Sequence, residues 1–280
     1  MIYICEYTHF LQQNLLGLLS AELPLTFPEG WQTGHRWEKA RQRILAWLLL
    51  AYGIEQETVL KDSREQNSTA GECTQKLTKL FEQLAIRRTA DGKPYSAAVP
   101  KLAFNLSHCD TACACIIGDA LQCETHLESK ALASVGIDVE RKFPYKENLN
   151  RSLCHEKERA VLQKLDLEEQ QRQQQILWSL KESLVKLDGR GLGYGLREID
   201  LSEYLPIENG EQRQQIQMKN TDYIKAIEYC LQIQTEKAYT LAACAELDFN
   251  FQHDESLMNI RKVTEEELAA WLQGDSLAIR

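Results

Sequence analysis

The sequence predicts an α+β protein, and three observations carry that prediction. The run Val-Gly-Ile-Asp-Val-Glu at 135–140 is a short apolar stretch broken only at alternate positions, the pattern of a buried strand. Residues 36–53 and 176–187 instead keep a helical period: Trp37, Ala40, Ile44, Trp47, Leu48 and Ala51 in the first, Leu177, Leu180, Leu184 and Leu187 in the second. Residues 196–204, 213–219, 227–234 and 238–246 alternate apolar and polar side chains like antiparallel strands. Each half of the chain thus shows a strand, a helix and then strand pairs, with the two helices in equivalent places.

The remaining elements follow in order. Residues 1–10 read as a first strand. Pro24, Pro28, Gly30 and Gly34 make 23–35 a loop. The helix over 36–53 is basic in its first half, with Arg36, Lys39, Arg41 and Arg43. The polar, turn-rich run 61–72 predicts an exposed connection. A short helix with Leu77, Leu80, Phe81 and Leu84 inward follows, then a strand from Ile86 to the Asp91-Gly92 turn. Strands are predicted over 102–108 and 111–117, with an extended hairpin or insert over 119–133. Residues 141–145 turn out of the 135–140 strand, and 149–165 read as one helix. Residues 168–175, all Glu, Gln or Arg, read as a solvated helical or loop segment, and Thr264 caps a terminal helix over 264–272. The polar connection before Val135 divides the chain into 1–133 and 134–280.

Composition removes several function classes. The 280 residues suffice for one large or two ordinary domains. A net charge of −9 argues against a general nucleic-acid binder. No run of about eighteen uncharged apolar residues suggests a membrane span, and Glu6 with no basic start argues against a signal peptide. Nine irregularly spaced cysteines do not form a disulfide framework, which fits reduced thiols in the cytoplasm. His108, Cys109, Cys113 and Cys115 do not read as a metal site, because no Cys-x-x-Cys pair occurs and the last two alternate with alanine on an apolar strand.

Chemistry concentrates where the 135–140 strand meets the 176–187 helix. Side-chain alternation puts Asp138 and Glu140 on one face, their α-carbons about 6.6 Å apart. Glu182 and Lys186, four residues apart, share one helix face. Three carboxylates with no His or Cys suit a hard cation, Mg²⁺ before Zn²⁺, and Mg²⁺ commonly keeps positions open for water and phosphate. Two strand carboxylates are usually a solvated edge, and a Glu/Lys pair is usually surface charge. Here the carboxylates leave an apolar strand, and further motifs stand in the same chain.

Those motifs resemble the Sfp-type 4′-phosphopantetheinyl transferases. The family signature is Gly-Ile-Asp-x-Glu followed by Trp-x-x-Lys-Glu-Ser/Ala-x-x-Lys, found here as Gly136 to Glu140 and Trp178 to Lys186. Gly92-Lys93-Pro94 and Phe104-Asn105-Leu106-Ser107-His108 match upstream in the family's order. The resemblance is clear over 91–194. It implies two similar subdomains related by a pseudo-twofold, with coenzyme A and magnesium in the cleft between them. It also implies a cytoplasmic monomer that touches neither nucleic acid nor membrane.

The implied reaction moves the 4′-phosphopantetheine arm from coenzyme A to a serine of an apo acyl or peptidyl carrier protein. Asp138, Glu140 and Glu182 would ligate Mg²⁺. Glu182 is also the implied base, Lys186 stabilises departing phosphate oxygens, and Lys181 helps with diphosphate charge. Lys93 and Pro94 are expected at the nucleotide end of coenzyme A, Ser107 and His108 at its phosphates, and Arg41 or Arg43 at its 3′-phosphate. Glu158 matches an acidic family position that supports the metal or its waters, and Trp178 is expected to pack. Acidic carriers would need a local patch to overcome the chain's negative charge. Two other classes stand beside this one: a non-catalytic module of the same fold that binds carrier protein or nucleotide, and a magnesium-dependent phosphohydrolase acting without a carrier.

Overall fold

Two four-stranded sheets meet where β4 (Leu102–His108) runs beside β6 (Val135–Arg141). The computed structural model describes residues 1–57, 70–119, 135–189, 195–219, 224–246 and 258–273. The first sheet has the order β10-β1-β5-β4, with β1 at Ile2–Glu6, β5 at Ala112–Asp119 and β10 at Ile260–Lys262. The second has the order β6-β9-β8-β7, with β7 at Gly210–Lys219, β8 at Ile224–Thr235 and β9 at Tyr239–Glu246. Neighbours are antiparallel except β1 and β10. A small hairpin joins β2 (Ile86–Arg88) to β3 (Pro94–Ser96).

Strand alternation sorts the apolar residues into layers. Ile2 and Ile4 of β1, Ala112 and Ala114 of β5, Ile137 and Val139 of β6, and Leu241 and Ala243 of β9 form one cluster between the sheets. On the outer face of the first sheet, Tyr3, Cys5, Cys113 and Cys115 pack on α2 (Gly34–Glu57). This helix is apolar on nearly every side from Ile44 to Ile54, as a helix enclosed by other elements must be. α1 (Gln13–Leu19) and α3 (Ala70–Leu84) flank it. On the outer face of the second sheet lies α6 (Leu167–Asp188), whose Leu177, Leu180, Leu184 and Leu187 form the expected stripe.

Three expectations are corrected. The span 149–165 is two short helices, α4 (Glu147–Leu153) and α5 (Glu156–Leu162), separated where His155 and Glu158 form a capping box. The span 196–204 is a pair of 3-10 turns that bury Ile199 and Leu201, so its alternation reports burial and not a strand. The glutamine-rich run belongs to α6, and Gln173, Gln174 and Gln175 are buried. Gln173 donates to the Ile207 carbonyl and accepts from its N–H, and Gln174 does the same for Lys146. Each side-chain amide satisfies both backbone groups of a loop residue, a role that glutamine's polarity conceals. Near the end of the chain, β10 pairs with β1, and α7 (Glu265–Leu272) packs on α2. The insert over 119–133 lies almost wholly outside the described residues, as do 61–69 of the polar connection and residues 190–194.

Candidate active site

β6 approaches α6 so closely at Gly136 that a Cβ there would stand 2.0 Å from the Ser183 carbonyl oxygen and 2.7 Å from the Leu187 nitrogen. Only glycine fits the crossing. The next β6 residue on the same face is Asp138, followed by Glu140, and these meet Glu182 and Lys186 of α6. Lys186 Nζ lies 2.6 Å from Asp138 Oδ1 and 3.0 Å from Ser107 Oγ.

β4 supplies the other wall. Its polar residues at 105 and 107 point toward β6 and bind its edge amides: Asn105 Oδ1 accepts from Ile137 N–H and Ser107 Oγ from Val139 N–H, each at 3.1 Å. The Ser107 hydroxyl also donates to Asp138 Oδ1 at 3.0 Å. One donor and two acceptor sites of that hydroxyl are therefore committed to the protein. The edge-closing role of Asn105 escaped the sequence reading, although polar residues at alternate positions of an otherwise apolar strand signal it.

The electrostatics are those of crowded carboxylates beside cations. Burial, then Asp138, then Glu140 push Glu182 up to about 7, against the lowering effect of Lys186. Burial and Asp138 also raise Glu140. The His108 side chain stands exposed at the rim, but the surrounding walls and the Lys186 and Arg43 cations hold it down at about 4, a neutral imidazole near pH 7. Arg43 lies 5.1 Å above the Phe27 ring and reaches the Thr26 carbonyl at 3.4 Å.

Asp138, Glu140, Glu182, Lys186, Ser107 and His108 come together, with Arg43 at the edge. Arg41, Lys181, Glu158 and Lys93, expected with them, do not join them. Arg41 is buried in an ion pair with Glu265, whose carboxylate also accepts from Thr8, His9 and Leu11 N–H. Lys181 is fully buried and pairs with Glu158 at 2.6 Å, and that carboxylate also holds the N–H groups of His155 and Leu201. Lys181 and Glu158 therefore brace the α5 and 196–205 region and take no place among the site carboxylates. The Lys93 ammonium is turned inward onto backbone carbonyls. Pro94, half-buried, opens β3, and Trp178 packs against the α6 cluster as expected.

Among the described residues, no three His, Cys, Asp or Glu side chains are gathered tightly enough to hold a metal ion. Asp138 Oδ2 is nonetheless buried with no hydrogen-bond partner. An orphaned carboxylate oxygen beside two further carboxylates of raised pKa has the donor chemistry that suits a hard divalent cation, although the three side chains are not gathered at ligating distances.

Residues 134–244 match the family model described as the 4′-phosphopantetheinyl transferase superfamily. The matched segment contains β6, α6 and most of β9. The chain is 30% identical over 116 residues to the 4′-phosphopantetheinyl transferase psf-1 of Bacillus pumilus, covering 41% of this chain and 44% of that protein. It is 31% identical over 105 residues to a 4′-phosphopantetheinyl transferase of Bacillus subtilis, covering 38% and 41%. The alignments thus span less than half the length of either relative.

Proposed function

We propose that this chain is a 4′-phosphopantetheinyl transferase, moving the phosphopantetheine arm of coenzyme A to a serine hydroxyl of an apo acyl or peptidyl carrier protein and releasing adenosine 3′,5′-bisphosphate. The observation that carries the reading is the meeting of Asp138, Glu140, Glu182 and Lys186 at the β6–α6 crossing, inside the segment that matches the superfamily. The names of the two Bacillus relatives support it. The orphaned Asp138 Oδ2 and the raised Glu182 suit Mg²⁺, which Asp138, Glu140 and Glu182 would hold. When bound, that ion neutralises charge on the diphosphate and orients it.

The chain's own groups divide the remaining work. Glu182, at about 7, is poised to take the proton of the carrier serine near neutral pH. The serine oxygen then bonds to the phosphorus of the pantetheine arm as the diphosphate P–O bond breaks toward the nucleotide. Lys186 stabilises the departing oxygens, and neutral His108 with Arg43 lines the phosphate approach. The same reading makes the protein a cytoplasmic monomer of two pseudo-twofold-related subdomains. The likeness in connection order supports that relation: in each half the first strand neighbours the last, with a long helix between them in sequence. No described helix is long and apolar enough to cross a membrane.

Release of adenosine 3′,5′-bisphosphate from coenzyme A, followed with and without an apo carrier protein, tests the proposal. The transferase reading expects release only when the carrier is present. Equal release without carrier would identify a phosphohydrolase, and coenzyme A binding without release across several carriers would identify a binding module.

A further inference from the structure

Lys93 stands in the turn between β2 and β3, in the first half of the chain, yet its side chain runs into the second. It is 8% exposed. Its Nζ donates to the Leu187 carbonyl at 2.9 Å and the Val135 carbonyl at 3.3 Å. Its stem passes the end of α6, where a Cβ on Gly189 would lie 3.7 Å from Lys93 Cδ. Gly189 takes φ +89 and caps the helix, its N–H bonded to the Val185 carbonyl at 2.9 Å. The Leu187 carbonyl belongs to the last turn, where carbonyls lack intrahelical partners and a cation is favoured. Val135 is the first residue of β6. One ammonium group thus bonds the end of α6 and the beginning of β6, directly beside the Gly136 crossing.

We infer that Lys93 is a positioning residue of the active site: it clamps the last turn of α6 to the start of β6 and so fixes Glu182 and Lys186 against Asp138 and Glu140. The geometry gives this lysine a task other than contact with the nucleotide, the role that the Gly-Lys-Pro motif implied for it. Burying the ammonium is costly, and that cost holds Lys93 down at about 8 although Cys244 and Asp188 act to raise it. A cation kept at such cost, with two backbone acceptors, serves the packing around it. The kinetic part of this inference rests on the transferase reading; the structural part does not.

The test compares Lys93→Met and Lys93→Arg with the parent protein. In Lys93→Met, amide hydrogen exchange across 186–189 accelerates at least about tenfold, as a lost cap frees the last turn. Transfer kcat falls about tenfold or more while KM for coenzyme A stays within about threefold, since a small misplacement of catalytic groups is expensive in rate. Lys93→Arg, which keeps cation and donors, recovers part of both effects. Unchanged exchange together with a raised KM and unchanged kcat would overturn the inference. If the parent protein transfers nothing, the exchange measurement alone decides. If Lys93→Met does not fold, the lysine side-chain NMR signals of the parent protein decide: the Lys93 signal is expected to stay in place on addition of coenzyme A, and a large shift would show nucleotide contact.

Discussion

Ser107 Oγ lies 3.0 Å from Asp138 Oδ1 and ties that carboxylate to the edge of the first sheet. The same hydroxyl accepts from Val139 N–H and from Lys186 Nζ. Ser107 therefore joins β4, β6 and α6 at one oxygen.

Its removal should be felt as lost structure before lost affinity. Ser107→Ala leaves the Val139 N–H unpaired, which costs about 1–3 kcal/mol in urea unfolding. The transfer rate falls with it as Asp138 and Lys186 lose their shared anchor. His108→Ala, at the rim, raises KM for coenzyme A and leaves stability nearly unchanged. A reversal of these two patterns would return Ser107 to a purely ligand-binding role.

Glu182 sets a pH dependence. Its folded pKa of about 7 lies above the ordinary value of 4.5. A raised carboxyl binds its proton more tightly when folded, so its unfavourable effect on stability is absent below about 4.5, grows as pH rises toward 7, and is complete above that. As a base, Glu182 works only when deprotonated. Transfer therefore declines as pH falls below about 7, and this limb moves to lower pH at saturating Mg²⁺, whose charge opposes that of Asp138 and Glu140. A rate profile at two Mg²⁺ concentrations checks both statements, and Glu182→Gln should abolish the limb along with most of the rate.

Gly136→Ala forces β6 away from α6, because the added methyl meets backbone and not a movable side chain. The loss should be about 3 kcal/mol in chemical denaturation, at the upper end of overpacking costs, with activity lost alongside.

The buried pair Lys181–Glu158 separates scaffold from site. Lys181→Met strands a buried carboxylate and should cost about 3–5 kcal/mol. Glu158→Gln costs at least as much, because Glu158 also holds the N–H groups of His155 and Leu201. In protein that remains folded, neither change should alter KM for coenzyme A by more than about twofold, since neither group joins the site carboxylates. Thermal melts and steady-state kinetics on the two variants check this.

The sequence made the β6–α6 crossing legible because strand alternation and the i, i+4 rule act within single elements. Asp138 with Glu140, Glu182 with Lys186, and the leucine stripe of α6 all follow from local geometry. What it could not convey was which polar groups are used up by the fold. Arg41, Lys93 and Lys181 resemble free cations in a string of residues, yet their partners Glu265, Val135, Leu187 and Glu158 are set by tertiary packing across distant segments. Gln173 and Gln174 misled in the same way, because a glutamine that satisfies a loop backbone looks like any solvated one. Residues 196–204 failed for another reason: alternation over a short span occurs in any chain lying half-buried on a core.

Group transfer to a carrier protein is the step that the proposed function requires above all. Intact-mass spectrometry of an apo acyl carrier protein, incubated with the purified chain, coenzyme A and Mg²⁺, tests it directly. A phosphopantetheinyl transferase adds one phosphopantetheinyl arm per carrier, and the gain is lost with EDTA and with Asp138→Ala. No gain on any of several acyl and peptidyl carriers, or a gain undiminished by Asp138→Ala, would contradict the proposed function.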